Sequence, residues 1–191
     1  MLKDIIISKV RVKLLEEFLK DSTQLIHVRD LVRRTEEEIN AVRRELAHME
    51  SAGMVKKEPR GNRVYYWFRK DYPLYSDLVN LVGKTTGLGG AILKHRSRIG
   101  RVTFAVLSGK FIRRLNRNSD DVDLLVVGEI VLPELAAIIR VEEALRGYEI
   151  NYTVMSEEEY KFRKTRRDPF LLGILYQSRV MIIGDEQDLV S

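Results

Sequence analysis

Asp121 and Asp123 stand one residue apart in DVDLLVV, a run whose apolar, β-branched residues predict a strand. Successive side chains on a strand alternate between faces. The expectation is therefore that both carboxylates project to one side while Val122 and Leu124 turn into the core. Like charges held this close repel each other, and a divalent cation between them supplies the missing positive charge. In phosphoryl transfer, paired carboxylates hold metals that bridge phosphates and stabilise the attacking and leaving oxygens. Gly109-Lys110 precedes the pair at the start of GKFIRRL, which reads as the beginning of a helix and so offers backbone N–H groups to the same phosphates.

The elements needed to position such a pair surround it. From Val102 the chain reads as a strand (VTFAVL), a helix start (GKFIRRL), a strand (DVDLLVV), a helix (LPELAAIIRVEEALR) and a strand (YEINYTVM). Two helices follow, the first opened by a Ser156-x-x-Glu159 capping box, and RVMIIG closes the chain as a last strand. Apolar strands alternating with helices predict an α/β or α+β sheet domain. A glycine turn followed by Asp-x-Asp in an apolar strand resembles the minimal nucleotidyltransferase domain of the polymerase-beta superfamily, over about residues 100–184. The resemblance implies that Asp121 and Asp123 are catalytic ligands of Mg²⁺ and that Gly109 helps to hold a nucleoside triphosphate. Lys110 stands where the family has Ser or Gly; two expectations follow, its ammonium on phosphate or its longer side chain filling the pocket. Arg113 matches an arginine common in the family's turn, while Arg114 replaces a small residue. The family's third carboxylate lies in an apolar-Asp-apolar setting. Here that setting is Ile150-Asn151-Tyr152, and Glu149, two residues earlier on the same face, is the candidate third acid. Asn151 is neutral, a poor ligand for a hard divalent cation and no base.

The first seventy residues read differently. SKVRVKLLEEFLKD places Val10, Leu14, Leu15, Phe18 and Leu19 on one helical face, and HVRDLVRRT reads as a short second helix. Thr35 and Glu38 have the spacing of a capping box for a third helix, with Ile39, Val42, Leu46 and Met49 inward and Ala52-Gly53 as its stop. A hairpin follows, turning at Pro59-Arg60-Gly61-Asn62 before Val64-Tyr65-Tyr66-Trp67-Phe68. Over about residues 8–82 this order resembles the ArsR-like winged helix-turn-helix regulators. The resemblance implies that the third helix enters the major groove of double-stranded DNA, with Asn40, Arg43, Arg44 and also Glu37 as candidate base readers. It places Lys56, Lys57, Arg60 and Arg63 on the wing against phosphates.

Charge supports this division. Residues 1–70 hold 16 Lys and Arg against 11 Asp and Glu, whereas residues 71–191 hold 17 of each, so the whole net charge of +5 belongs to the first segment. The fold class expected is α+β: a winged helix with the start of a linker helix over 1–82, the linker helix over 83–100, and the nucleotidyltransferase-like sheet domain over 101–191. KTTGLGG in the linker is not a Walker sequence, and its glycines are expected to let two domains pack closely. KHRSRIGR adds Lys94, Arg96, Arg98 and Arg101, a basic run suited to guiding nucleic acid or nucleotide.

The absence of cysteine excludes disulfides, thiolate zinc sites, thiol nucleophiles and cysteine-based metal sensing, and the three scattered histidines argue against a histidine metal cluster. No stretch reaches the roughly 20 apolar residues of a membrane span, and no signal sequence is evident at the start, so a cytoplasmic protein is expected. The pairing of the two domains, including YEINYTVMSEEEY, is similar to prokaryotic regulators fused to nucleotidyltransferase-like domains. Three functions stay open on the sequence. One is a homodimeric DNA-binding regulator whose second domain binds metal-nucleotide. Another is an active Mg²⁺-dependent nucleotidyltransferase that modifies a protein, a small molecule or an RNA end. In the last, the second domain is an oligomerisation module whose aspartates are relics.

Overall fold

The computed structural model describes residues 6–21, 24–116, 118 and 120–191. The chain is mixed α+β and divides into two compact units, residues 1–82 and 83–191. No helix among the described residues is long and apolar enough to cross a membrane.

In the first unit, α1 (Lys9–Lys20) starts at Ser8, whose hydroxyl accepts the N–H of Arg11, and it buries Val12, Leu14, Leu15, Phe18 and Leu19. Val12 therefore takes the inward place expected for Val10, which stays half-buried. A two-residue strand β1 (Ile26–His27) leads straight into α2 (Val28–Thr35). That helix ends with Glu36 in the left-handed region at φ +53°, which turns the chain into α3 (Ile39–Ser51) within three residues. Val42, Leu46 and Met49 form the buried stripe of α3, and Gly53 at φ +73° follows its end. The hairpin of β2 (Val55–Arg60) and β3 (Arg63–Phe68) turns at Gly61-Asn62 alone, because Pro59 and Arg60 stay in register opposite Val64 and Arg63. The sheet order is β1-β3-β2, all antiparallel. Phe18 and Phe68 meet with ring centroids 6.5 Å apart and fasten α1 to the hairpin.

The expected capping box at the head of α3 takes another form. Glu38 is itself the N-cap, its carboxylate accepting the N–H groups of Asn40 (2.7 Å) and Ala41 (3.1 Å). Thr35 is buried at the end of α2, where its hydroxyl donates to the Leu31 carbonyl at 2.7 Å. Thr-x-x-Glu spacing alone does not distinguish the two uses, because a hydroxyl can bond back along its own helix as well as forward.

From Tyr75 the chain forms α4 (Tyr75–Thr85), α5 (Gly87–Lys94) and α6 (Arg96–Ile99), so the single linker helix expected over 83–100 is instead the end of one helix and two more. Leu88, Ile92 and Ile99 belong to the core of the second unit. The glycines allow local crowding: a Cβ on Gly89 would collide with the Gly83 carbonyl, and one on Gly90 with that of Thr85.

The second unit is a four-stranded mixed sheet of order β6-β5-β4-β7. Its strands are β4 (Gly100–Ser108), β5 (Leu124–Ile130), β6 (Tyr152–Met155) and β7 (Arg179–Ile183). β4 runs antiparallel to β5 and β7, and β5 pairs in parallel with β6 across the helix α8 (Leu132–Arg146). The alternation of β4 and β5 divides the core. Ala105, Leu107, Leu124 and Val126 meet Leu88, Ile92, Leu135 and Ile139 on one face. Val106, Leu125 and Val127 meet Tyr160 of α9 (Glu157–Thr165), Leu171 of α10 (Pro169–Leu175) and Leu189 of α11 (Glu186–Val190) on the other. The remaining helix, α7 (Gly109–Ile112), follows β4 directly. Ser156 caps α9 as the sequence predicts, accepting the N–H of Glu159 at 3.1 Å.

The capping assignment is testable by thermal unfolding. Glu38→Ala is expected to cost about 1 kcal/mol of first-unit stability. Thr35→Val, which keeps the buried shape, leaves the start of α3 intact.

Candidate functional site

Three contacts fix the first turn of α7. The hydroxyl of Ser108 accepts the N–H of Lys110 at 3.2 Å, and the N–H of Gly109 donates to the Ser178 carbonyl at 2.6 Å. A Cβ on Gly109 would collide with the Ser178 side chain, so glycine is required for α7 to approach the start of β7. Phe111 is fully buried, and the guanidinium of Arg146 lies 3.9 Å from its ring centroid while donating to its carbonyl at 3.2 Å. Arg146 is in turn held by Glu142 at 2.6 Å, their side chains 9% and 10% exposed. The backbone N–H groups expected for phosphate are thus engaged within the unit.

Lys110 projects from this anchored turn to Asp121, its ammonium 2.8 Å from Oδ2. The same oxygen accepts the N–H of Asn118 at 2.9 Å, and the Asp121 N–H returns to the Asn118 carbonyl at 3.2 Å. This local turn bends the chain, so the ladder of β5 begins only at Leu124 and both aspartates lie in the loop before it, not in the strand as expected. Asp123 is bridged by its backbone, donating to the Asn151 carbonyl at 2.7 Å and accepting from Ser108 at 2.8 Å. Val122, Asp123 and Leu124 are buried in succession at 9%, 0% and 0% exposure, so Asp123 does not reach solvent.

Asn151, at the third-acid position, clamps the loop twice. Its backbone N–H donates to Asp123 Oδ2 at 2.9 Å and its side-chain amide to the Asp121 carbonyl at 3.1 Å. Glu149 is solvent-exposed, and among the described residues no three His, Cys, Asp or Glu side chains gather as a metal would require. Arg113 closes α7, with its Nε buried and without a hydrogen-bond acceptor among the described residues.

These donors do not suit Mg²⁺. A hard dication relies on several oxygens with surplus negative charge. Here one Asp121 oxygen already holds an ammonium and an amide, an Asp123 oxygen holds the Asn151 amide, and the remaining position is neutral.

A second cluster lies in the first unit. Pairing of His27 with Tyr65 across β1 and β3 sets the first turn of α2 beside the hairpin. A cleft of about 380 Å³ opens there, lined by His27, Arg29, Arg43, Asn62, Arg63 and Tyr66 among others, with no carboxylate in its wall. Asn40, Arg43 and Arg44 are exposed along α3. Lys57 is paired with Glu50 at 2.9 Å, and Arg60 with Glu58 at 2.6 Å while lying 5.5 Å over the Tyr65 ring. Arg29, Arg43, Arg44, Lys56 and Arg63 make no ion pair among the described residues. Glu37, also expected as a base reader, is instead tied to Lys13 (2.7 Å) and Lys9 (3.1 Å) on α1. Of the cleft residues, His27, Arg29 and Asn62 were not expected from the sequence. A two-residue strand leaves no periodic signal, and the Gly61-Asn62 turn was the one pointer available.

Comparison with known protein families, curated proteins and solved structures gives no match.

Two outcomes test the site. Gly109→Ala is expected to destabilise the second unit by about 1–3 kcal/mol in urea unfolding without any nucleotide, as overpacking against Ser178 requires. The lysine contacts of Glu37, Lys13 first and then Lys9, hold its carboxyl below the ordinary 4.5. Its contribution is therefore complete above pH 4.5 and disappears as pH falls through the lower native value. In acid titrations followed by circular dichroism, Glu37→Gln removes that part of the first unit's acid limb.

Proposed function

We propose that the chain is a transcriptional regulator whose first unit is a winged helix-turn-helix binding double-stranded DNA as a homodimer in the cytoplasm. The observation that carries this reading is the carboxylate-free cleft in which Arg29, Arg43 and Arg63 converge from two helices and a hairpin. Solvated arginines on an ordinary surface are commonly answered by nearby acids, as Lys57 and Arg60 are here. Cations from three elements around one concavity need a polyanion. The order helix, strand, helix, helix, hairpin adds support, since it is the order in which α3 is presented to the major groove with the wing beside it. Arg43 and Arg44 would fork onto guanine edges and Asn40 onto adenine, with Arg29, Lys56 and Arg63 on phosphates. Two-fold symmetry of the duplex makes a dimer reading paired half-sites the natural assembly.

In this reading the second unit has the nucleotidyltransferase architecture without its chemistry. Neutral Asn151, the engaged N–H groups of Gly109 and Lys110, and the ammonium on Asp121 argue against metal-dependent transfer. The unit then serves the regulator as a structural or signal-receiving module.

Binding to labelled duplexes, followed by anisotropy over a salt series, tests the proposal. Affinity is expected to fall with rising salt, with a slope reduced by about 1 in Arg63→Ala. Arg43→Ala is expected to cost about 1–3 kcal/mol on the preferred sequence and to relax selectivity. A salt-independent isotherm, or none, removes the regulator reading.

A further inference from the structure

We infer that the Tyr66 hydroxyl is a direct ligand of a phosphate group seated in the cleft at the head of α2, in a wall that holds the guanidinium groups of Arg29, Arg43 and Arg63 and no carboxylate. The inference rests on the regulator reading for its source of phosphate, the duplex backbone, and its test separates the two.

The strand register brings Tyr66 there. Side chains alternate along β3, so Tyr66 and Phe68 turn inward while Tyr65 faces the other way, its ring 5.5 Å from that of His27. Phe68 reaches Phe18 in the core, whereas Tyr66, paired in the ladder with Ile26 and Lys57, lines the cleft together with Arg43 of α3. Only 9% of Tyr66 is exposed. Its hydroxyl makes no hydrogen bond among the described residues and is not sealed from solvent, so the little surface the residue keeps opens on the cleft. Burial holds the phenol above its ordinary 10.0, outweighing Lys57 and Arg43, and Glu50 adds to the rise, so the oxygen keeps its proton to donate. Glu50 is itself taken by Lys57 at 2.9 Å.

The same register leaves the head of α2 open. His27 is the N-cap, but its side chain lies beside Tyr65 and caps no N–H of the first turn. Uncapped amides at the positive end of a helix favour an anion, and His27, Val28 and Arg29 form part of the cleft wall. Asp30, the acid of that turn, is paired with Arg33 at 3.0 Å and stands outside the wall. Donors therefore converge on the cleft from α2, α3 and the hairpin. A planar carboxylate presents its oxygens in one plane, but a tetrahedral phosphate can meet guanidinium, amide and hydroxyl from several directions at once.

The full chain and its Tyr66→Phe variant, titrated with labelled duplex and separately with inorganic phosphate, test this. Tyr66→Phe is expected to bind duplex about 10- to 100-fold more weakly on preferred and unrelated sequences alike, the loss of one hydrogen bond to a charged group. Its salt slope stays that of the wild type, because a neutral hydroxyl displaces no counterion, whereas Arg63→Ala lowers the slope. The thermal midpoint of the free variant is unchanged, since the hydroxyl it lacks has no partner in the chain. Weakened duplex binding with no response to phosphate alone names the duplex as the source. If the wild type binds no duplex but inorganic phosphate raises its first-unit midpoint more than that of Tyr66→Phe, the inference stands with a free phosphorylated ligand, and only the regulator reading is lost. Equal duplex affinity in the two proteins overturns the inference and leaves the regulator reading in place. A midpoint several degrees lower in free Tyr66→Phe also overturns it, by giving the hydroxyl a partner inside the chain. A wild type that binds neither duplex nor phosphate overturns both.

Discussion

Two poorly hydrated carboxylates, Asp121 at 11% exposure and Asp123 at 0%, set the demands on the loop at the head of β5. Burying acid charge is unfavourable unless donors meet it, and those that reach Oδ2 of each carboxylate come from separate places: Lys110 on α7, Asn118 in the loop and Asn151 before β6. Much of the neighbouring structure serves to hold those donors still. Gly109 lacks a side chain so that α7 can lie against Ser178, and Arg146, paired with Glu142, covers Phe111 from the other side. The result is that Oδ2 of each carboxylate is engaged by groups of the chain itself.

The first unit follows the opposite principle. Its acids are spent on its own framework: Glu37 on Lys9 and Lys13, Glu45 on Arg11 at 2.5 Å, Glu38 on the head of α3. Around α2, α3 and the hairpin, Arg29, Arg43, Arg44, Lys56 and Arg63 are left without an ion pair among the described residues, while Lys57 and Arg60 are answered by Glu50 and Glu58. The segregation comes from where the acids point as much as from how many there are, which a count over residues 1–70 could not reveal.

The sequence made the strands, the long helices and the two units legible, because apolar periodicity and turn residues are local signals. It singled out Asp121, Asp123, Lys110 and Asn151 individually, four residues that hydrogen bonds link in the structure. The contact between Lys110 and Asp121 was not legible, because it depends on how a loop folds back upon the start of a helix. Nor was the departure of Asp121 and Asp123 from the strand, since Asp-x-Asp before LLVV is consistent with either placement until the turn with Asn118 is known. The same limit explains Thr35 and Glu38, where correct spacing led to the wrong cap, and Gly89 and Gly90, whose crowding is with the carbonyls of Gly83 and Thr85.

The N–H of Gly109 bonded to the Ser178 carbonyl also determines when the loop can form. Ser178 precedes the last strand, and Asn151 lies 28 residues beyond Asp123. The clamp of Asn151 on the acids is thus a non-local pairing, whose closure entropy must be met before the contact is gained. As the chain leaves the ribosome, Lys110 and Asn118 emerge ahead of Asp121, whereas Asn151, 28 residues beyond Asp123, follows later. Closing the Asn151 clamp therefore goes with the parallel pairing of β5 and β6, a contact of long sequence separation.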